Sequence, residues 1–127
     1  MITSLYSIAI FVTDIDRAIA FYQGDLGLAL IRQGSFGAEF MEGGTHIGVH
    51  PAVHPDSSAM VGRHTGMTFQ VEGLLDFCEG LHERGVRFLN EPTQQSWGIM
   101  AMINDPDGNV LALWENTTAG DPLAGSA

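Results

Sequence analysis

The sequence predicts an α+β fold built from two tandem βαβββ modules. Two observations carry that prediction. The chain runs through strand, helix and three further strands twice, and the two runs superpose position by position. An offset of 59 lays Ser7 on Gly66 and Val12 on Val71 in the first strands, and an offset of 64 lays Gly48 on Ala112 in the last. The extra residues fall in loops, and two copies in 127 residues make a duplicated module, not a solenoid.

The first strand is "YSIAIFVTD", residues 6–14, with period-two alternation. "DIDRAIAFYQGDLG" follows with Ile15, Ala18, Ile19 and Tyr22 at helical spacing, Thr13 or Asp14 as N-cap and a glycine-marked stop. Three strand-like stretches close the module: "LALIRQ", "SFGAEFME" and "THIGVHP". The second copy opens with "GMTFQVEG" and continues into a helix with Leu74, Cys78 and Leu81 on one stripe, stopped at Gly85. "VRFLNE", "WGIMAMIN" and "NVLALWE" complete it. In "DPDGN", Pro106 fixes φ, Asp105 and Asp107 can accept from nearby backbone N–H groups, and Gly108 accepts φ > 0, so a tight turn launches the last strand. That strand is apolar on both faces: one meets a helix, the other something else.

Composition bounds the function. A 45% hydrophobic chain of this length holds one compact core, and we read a single domain over 1–116, modules spanning about 5–52 and 64–116, with a flexible tail over 117–127. A net charge of −10, from 15 Asp and Glu against 5 Lys and Arg, leaves no basic stripe for a phosphate backbone, so no nucleic-acid partner is expected. The same charge favours a cationic ligand. Cys78 is the only cysteine, no leader precedes Leu5 and no stretch approaches the roughly 20 apolar residues of a membrane span, so a cytoplasmic protein without membrane attachment is expected.

The paired βαβββ units, the "VTDIDRAIAFYQGDLGL" opening and the "DPDGNVLALWE" ending resemble the vicinal oxygen chelate superfamily of glyoxalase I, bleomycin resistance proteins and extradiol dioxygenases, from about Leu5 to Glu115. The resemblance implies curled mixed sheets around a cleft, dimerisation of short two-module chains, and, in metal-dependent members, His, Glu or Gln ligands on the first and last strands of each module. Those places are Ser7, Gly48, Gly66 and Ala112 in this chain. Divalent metals of this chemistry need imidazole nitrogen or carboxylate oxygen, and glycine and alanine offer neither. No metal and no other cofactor is therefore expected.

His46, His50 and His54 recur every fourth residue, but on a strand His46 and His50 lie roughly 13 Å apart at about 3.3 Å per residue, too far to chelate one ion. His54 reads as a loop residue beside Pro55, and His82 as a solvated residue on the outer face of the second helix. If Ala112 faces the cleft, parity adds Ser7, Ala9, Phe11, His46, His50, Thr68, Gln70, Val110 and Trp114, and strand pairing in the family adds Met100 and Met102. Of these, Phe11, His46, His50, Thr68, Gln70, Met100, Met102 and Trp114 are the candidate ligand-binding residues. Aromatic and thioether groups with a few neutral polar ones suit a flat organic guest, aromatic or cationic; the plain alternative is that they fill the sheet as core.

No nucleophile motif such as Gly-x-Ser-x-Gly occurs, and Cys78 reads as core. Glu39, Glu42 and Glu115 are the carboxylates on strand-like segments near the cleft rim, with Glu115 on the parity opposite Ala112. Two function classes remain: a metal-independent small-molecule binding protein of the bleomycin-resistance type, or a lyase, isomerase or dioxygenase like the metal-dependent relatives, for which a displaced metal site using His50 with His64 or another remote group is one option.

Overall fold

Each half of the chain solves the same problem, which is to bury one face of a sheet under a helix. The computed structural model describes residues 1–41 and 45–117. It divides into two units, Met1–Arg63 with Pro106–Asn109, and His64–Asp105 with the chain from Val110 on. The tail expected over 117–127 lies, beyond Thr117, outside the described residues, as does Glu42.

The first unit contains β1 (Ser7–Val12), α1 (Ile15–Ile19) continued by a π-helical turn over Ala20–Asp25, β2 (Leu30–Gly34), β3 (Gly37–Phe40), β4 (His46–Pro51) and a short α2 (Pro55–Ser58). Its sheet runs β1-β4-β3-β2, parallel between β1 and β4 and antiparallel elsewhere. Asp14 is the N-cap of α1, accepting from the Arg17 amide at 3.1 Å. Ile10, Val12, Ala38, Phe40, Ile47 and Val49 are buried together with Ala18, Phe21 and Tyr22 of the helical segment, and Tyr22 meets Phe40 with ring centroids 5.7 Å apart.

The second unit contains β5 (His64–Gln70), α3 (Leu74–Glu83), β6 (Arg87–Gln94), β7 (Gly98–Asn104) and β8 (Val110–Asn116) in the order β5-β8-β7-β6, again with one parallel pair, β5 and β8. Leu74, Cys78 and Leu81 form the predicted buried stripe of α3, and Ala101, Ile103, Leu111 and Leu113 of the sheet are buried with them. The helix ends as Gly85 predicts: at φ +80 it lets the Gly85 amide reach His82 O and the Val86 amide reach Leu81 O, each at 3.0 Å. Burial pushes the Cys78 thiol up to about 11, so it is a core side chain and not a nucleophile at neutral pH.

The two registers carry the duplication. Ala9 pairs with Gly48 and Phe11 with His50, while Thr68 pairs with Ala112 and Gln70 with Trp114, the same partners under the two sequence offsets. Both sheets are mixed and unclosed, as the α+β prediction requires.

Some details differ from the sequence reading. His54 is not a plain loop residue: it caps α2, its amide donating to Ser57 Oγ at 3.2 Å. His82 is exposed but partnered, donating from Nε2 to Glu91 at 2.7 Å and stacking on Phe88 at 4.0 Å. Asp107 reaches much farther than its own turn, to the Thr13 amide at 3.0 Å, the Thr13 hydroxyl at 2.6 Å and Arg17 at 2.9 Å. Asn109, fully buried, accepts from the amides of Gly62 and Arg63 and donates to Phe11 O, all within the first unit.

Glu115 supplies the N-terminal cap of α3, where Gly73 has no side chain to do so. Its carboxylate accepts from the Gly73 and Leu74 amides at 2.7 and 2.9 Å, and those bonds, chiefly the one from Leu74, hold its pKa below the ordinary range. The cap therefore contributes fully above the unfolded glutamate pKa of about 4.3 and is lost as pH falls through the lower folded value. Urea denaturation should find Glu115→Gln less stable than the parent protein at neutral pH, with the difference shrinking toward zero in acid. An equal difference at both ends of that range would mean that the carboxylate charge does not matter.

Candidate functional site

Directly paired residues share a face of a sheet, so the registers name the face that each helix leaves open. In the first module it holds Ser7, Ala9 and Phe11 from β1, His46, Gly48 and His50 from β4, Glu39 from β3 and Arg32 from β2. In the second it holds Thr68 and Gln70, Val110, Ala112 and Trp114, Met100, Met102 and Asn104, and Asn90 and Thr93 from β6. Of the eight candidates, Phe11, His46 and His50 thus share the open face of the first module. Thr68, Gln70, Met100, Met102 and Trp114 share that of the second. Thr68 and Gln70 are exposed and the other six half-buried.

Two rings lie over glycines. His50 donates from Nδ1 to the Phe36 carbonyl at 2.8 Å, since a carbonyl only accepts; in the neutral ring the lone pair is then left on Nε2. A Cβ at Gly48 would fall 2.8 Å from that Nε2, so the glycine is what lets the ring lie across β4. Phe11 and Phe36 flank the ring at centroid distances of 6.0 and 6.5 Å. At the equivalent place in the second module stands Trp114, whose Nε1 donates to Asn116 at 2.6 Å. A Cβ at Gly98 would meet Trp114 Cζ2 at 2.6 Å and collide with the Glu115 carbonyl, so glycine is required there too. Beside the indole run Met100, its direct partner, and Met102, whose sulfur accepts from Asn90 at 3.1 Å.

Glu39 is a buried charge on the open face of the first module, only 7% exposed. Arg32 donates to its Oε1 at 2.7 Å and to the Tyr6 hydroxyl at 3.2 Å. The bond from Arg32 keeps the Glu39 carboxyl below the ordinary range although desolvation pushes the other way. Sequence parity names Glu39 only as a rim carboxylate and misses Arg32, Tyr6 and Phe36. The pairing of β2 with β3 would have given Arg32, but that register shifts between Leu30 and Arg32, and Phe36 sits in the connecting turn, where no periodicity applies.

The four places where the fold family can hold a metal do not fit one here. Gly48, Gly66 and Ala112 have no donor atom and Ser7 has one hydroxyl. Gly66 differs from the expected regular strand position: it lies at φ +77 where the pairing of β5 and β8 shifts register, a conformation that disfavours any side chain. Among the described residues no group of three or more His, Cys, Asp or Glu could hold an ion. As for a displaced site using His50 with His64, His50 Nδ1 is engaged by Phe36 and His64 Nδ1 accepts from the Gly66 amide at 3.2 Å.

Comparison with known proteins fits this architecture. No curated protein matches the chain. A member of the glyoxalase/bleomycin resistance protein/dioxygenase superfamily from Sphaerobacter thermophilus DSM 20745 has a TM-score of 0.79 at 24% identity, covering 91% of this chain and 98% of that one, a likeness of fold. TnmS3, an antibiotic binding protein from Streptomyces sp. CB03234, has a TM-score of 0.76 at 26% identity, covering 91% and 98%. A glyoxalase/bleomycin resistance protein, also from Streptomyces sp. CB03234, has a TM-score of 0.70 at 28% identity, covering 90% and 100%. The family model for the Glyoxalase/Bleomycin resistance protein/Dioxygenase superfamily matches residues 4–113, and the chain belongs to that superfamily.

Proposed function

We propose that this protein binds a small organic molecule on the open faces of its sheets and does so without a metal ion. The observation that carries the reading is the exchange of donor groups for surface: Gly48, Gly66 and Ala112 offer no ligand atom, while the positions two residues on from Gly48 and Ala112 carry the flat rings of His50 and Trp114. Rings seated on backbone give a planar guest something to stack on. On the second module's face Met100 and Met102 adapt to the outline of a guest and Thr68 and Gln70 orient its polar atoms; on the first module's face His50 plays that polar part. TnmS3, 26% identical, is an antibiotic binding protein, which supports the same class of ligand here. The net charge of −10 favours an aromatic cation over an anion at long range.

We further read the chain as a cytoplasmic homodimer. Each sheet ends in edge strands, β1 and β2 in one and β5 and β6 in the other. Edge strands favour coverage by a second chain, and two-fold symmetry is the commonest way to supply it. Among the described residues no helix is long and apolar enough to cross a membrane.

Two measurements test these statements. Proflavine, a planar aromatic cation, should quench Trp114 in a Trp97→Phe background with a Kd below about 100 μM, equally before and after treatment with EDTA. Quenching that disappears with chelation, or is absent throughout, contradicts the metal-free site. Sedimentation equilibrium at tens of micromolar should give twice the 13.7 kDa chain mass, and a species at the chain mass refutes the dimer.

A further inference from the structure

Two buried polar atoms in the first module have no hydrogen-bond partner among the described residues, and they face each other. Glu39 Oε2 and His46 Nδ1 are 3.3 Å apart, out of hydrogen-bond alignment, and neither reaches solvent. The other carboxylate oxygen is committed to Arg32 at 2.7 Å, and the Tyr6 ring packs on His46 with centroids 5.4 Å apart. Buried polar atoms are satisfied in nearly all folded proteins, and here one proton satisfies both: a small rotation of the imidazole aligns Nδ1–H with Oε2. That proton belongs to the imidazole, because the bond from Arg32 holds the Glu39 carboxyl below the ordinary carboxylate range. His46 is thus held as the Nδ1–H tautomer. With Nδ1 closed off, what the half-buried ring offers a ligand is the lone pair of Nε2.

From this geometry we infer that Tyr6, Arg32, Glu39 and His46 form a proton-accepting subsite on the open face of the first module, which captures an acidic hydroxyl, phenolic or enolic, of an aromatic ligand. The inference rests on the proposed metal-free binding of an organic molecule and names the polar group of that ligand. On binding, the ligand O–H bond breaks and an N–H bond forms at His46 Nε2. The ligand oxygen keeps the electron pair and becomes an anion, and the imidazolium is neutralised by Glu39. Arg32, whose guanidinium lies between Glu39 Oε1 and the Tyr6 hydroxyl, adds a second positive charge for the new anion, and the Tyr6 hydroxyl adds a donor. The hydroxyl enters protonated and its proton stays on the protein, so the transfer adds no net charge to the complex, which matters in a chain at −10. Among the described residues the other ionisable group on this face is His50, four residues along β4, whose Nδ1 is fixed by Phe36.

The probe is 4-nitrophenol, whose anion absorbs in the visible and whose neutral form does not. At a pH on the acid side of its own ionisation, adding the protein should produce the phenolate band in proportion to occupancy. His46→Gln should remove the band and Glu39→Gln should lower the bound anion-to-acid ratio at least about tenfold, one unit of the probe's apparent pKa, in variants whose amide spectra show the parent fold. Without any ligand, ¹⁵N shifts of the His46 ring should report Nδ1–H as the neutral tautomer. An Nε2–H tautomer, a bound probe that remains neutral, or no probe binding where proflavine still quenches overturns this inference alone. If neither compound binds, the open-face reading itself falls with it.

Discussion

A parallel pair of strands in each module, one edge strand and its inner neighbour, fixes which residues meet the helix and which face away. β1 against β4 and β5 against β8 hold one register, Phe11 opposite His50 and Gln70 opposite Trp114. Side chains alternate with period two, so slipping either strand by one residue would turn Ile10, Val12 and Val49, or Leu111 and Leu113, out of the core and bring polar groups into it. Each of those aliphatic side chains is worth about 1.5–3 kcal/mol when buried, so the alternative registers are excluded by several such terms at once. The composition of both open faces depends on that exclusion. The ring of His50, the carboxylate of Glu39 and the indole of Trp114 are where they are because their neighbours are needed under the helices.

Glycine sets the finer geometry. Gly48 and Gly98 leave space in which the imidazole of His50 and the indole of Trp114 lie against backbone, each fixed by one hydrogen bond, to Phe36 O and to Asn116. The same lack of a Cβ that removes a metal donor at position 48 therefore seats a ring over the place where the donor would stand. At position 66 the reason is different: the bulge in β5 puts Gly66 at positive φ, and backbone conformation alone accounts for the residue. An empty ligand position and a strained one look identical in sequence.

Period and turn chemistry made part of this fold legible in the sequence. Alternation along "YSIAIFVTD" and "NVLALWE" assigns both faces of β1 and β8, the stripe Leu74, Cys78, Leu81 orients α3, and Gly85 marks its end. Contacts between residues far apart in the chain were not legible. Asp107 reads as a local turn residue yet bonds Thr13 and Arg17, and Glu115 reads as an off-face carboxylate yet caps a helix that begins 41 positions earlier. Nothing in "QGSFGAEF" reveals that Arg32 pairs with Glu39, because the bulge between Leu30 and Arg32 breaks the parity that would have shown it. The open face of the second module can be read from alternation, whereas the charged corner of the first needed the hairpin register.

The central claim is that the ligand surface is the open, helix-free face of the sheets. Amide chemical-shift mapping of the ¹⁵N-labelled, EDTA-treated protein during a proflavine titration tests it most directly. The account predicts saturable shifts concentrated at Phe11, His50, Thr68, Gln70, Met100, Met102 and Trp114. Saturable shifts confined to α1 or α3 and the strand positions beneath them would contradict it.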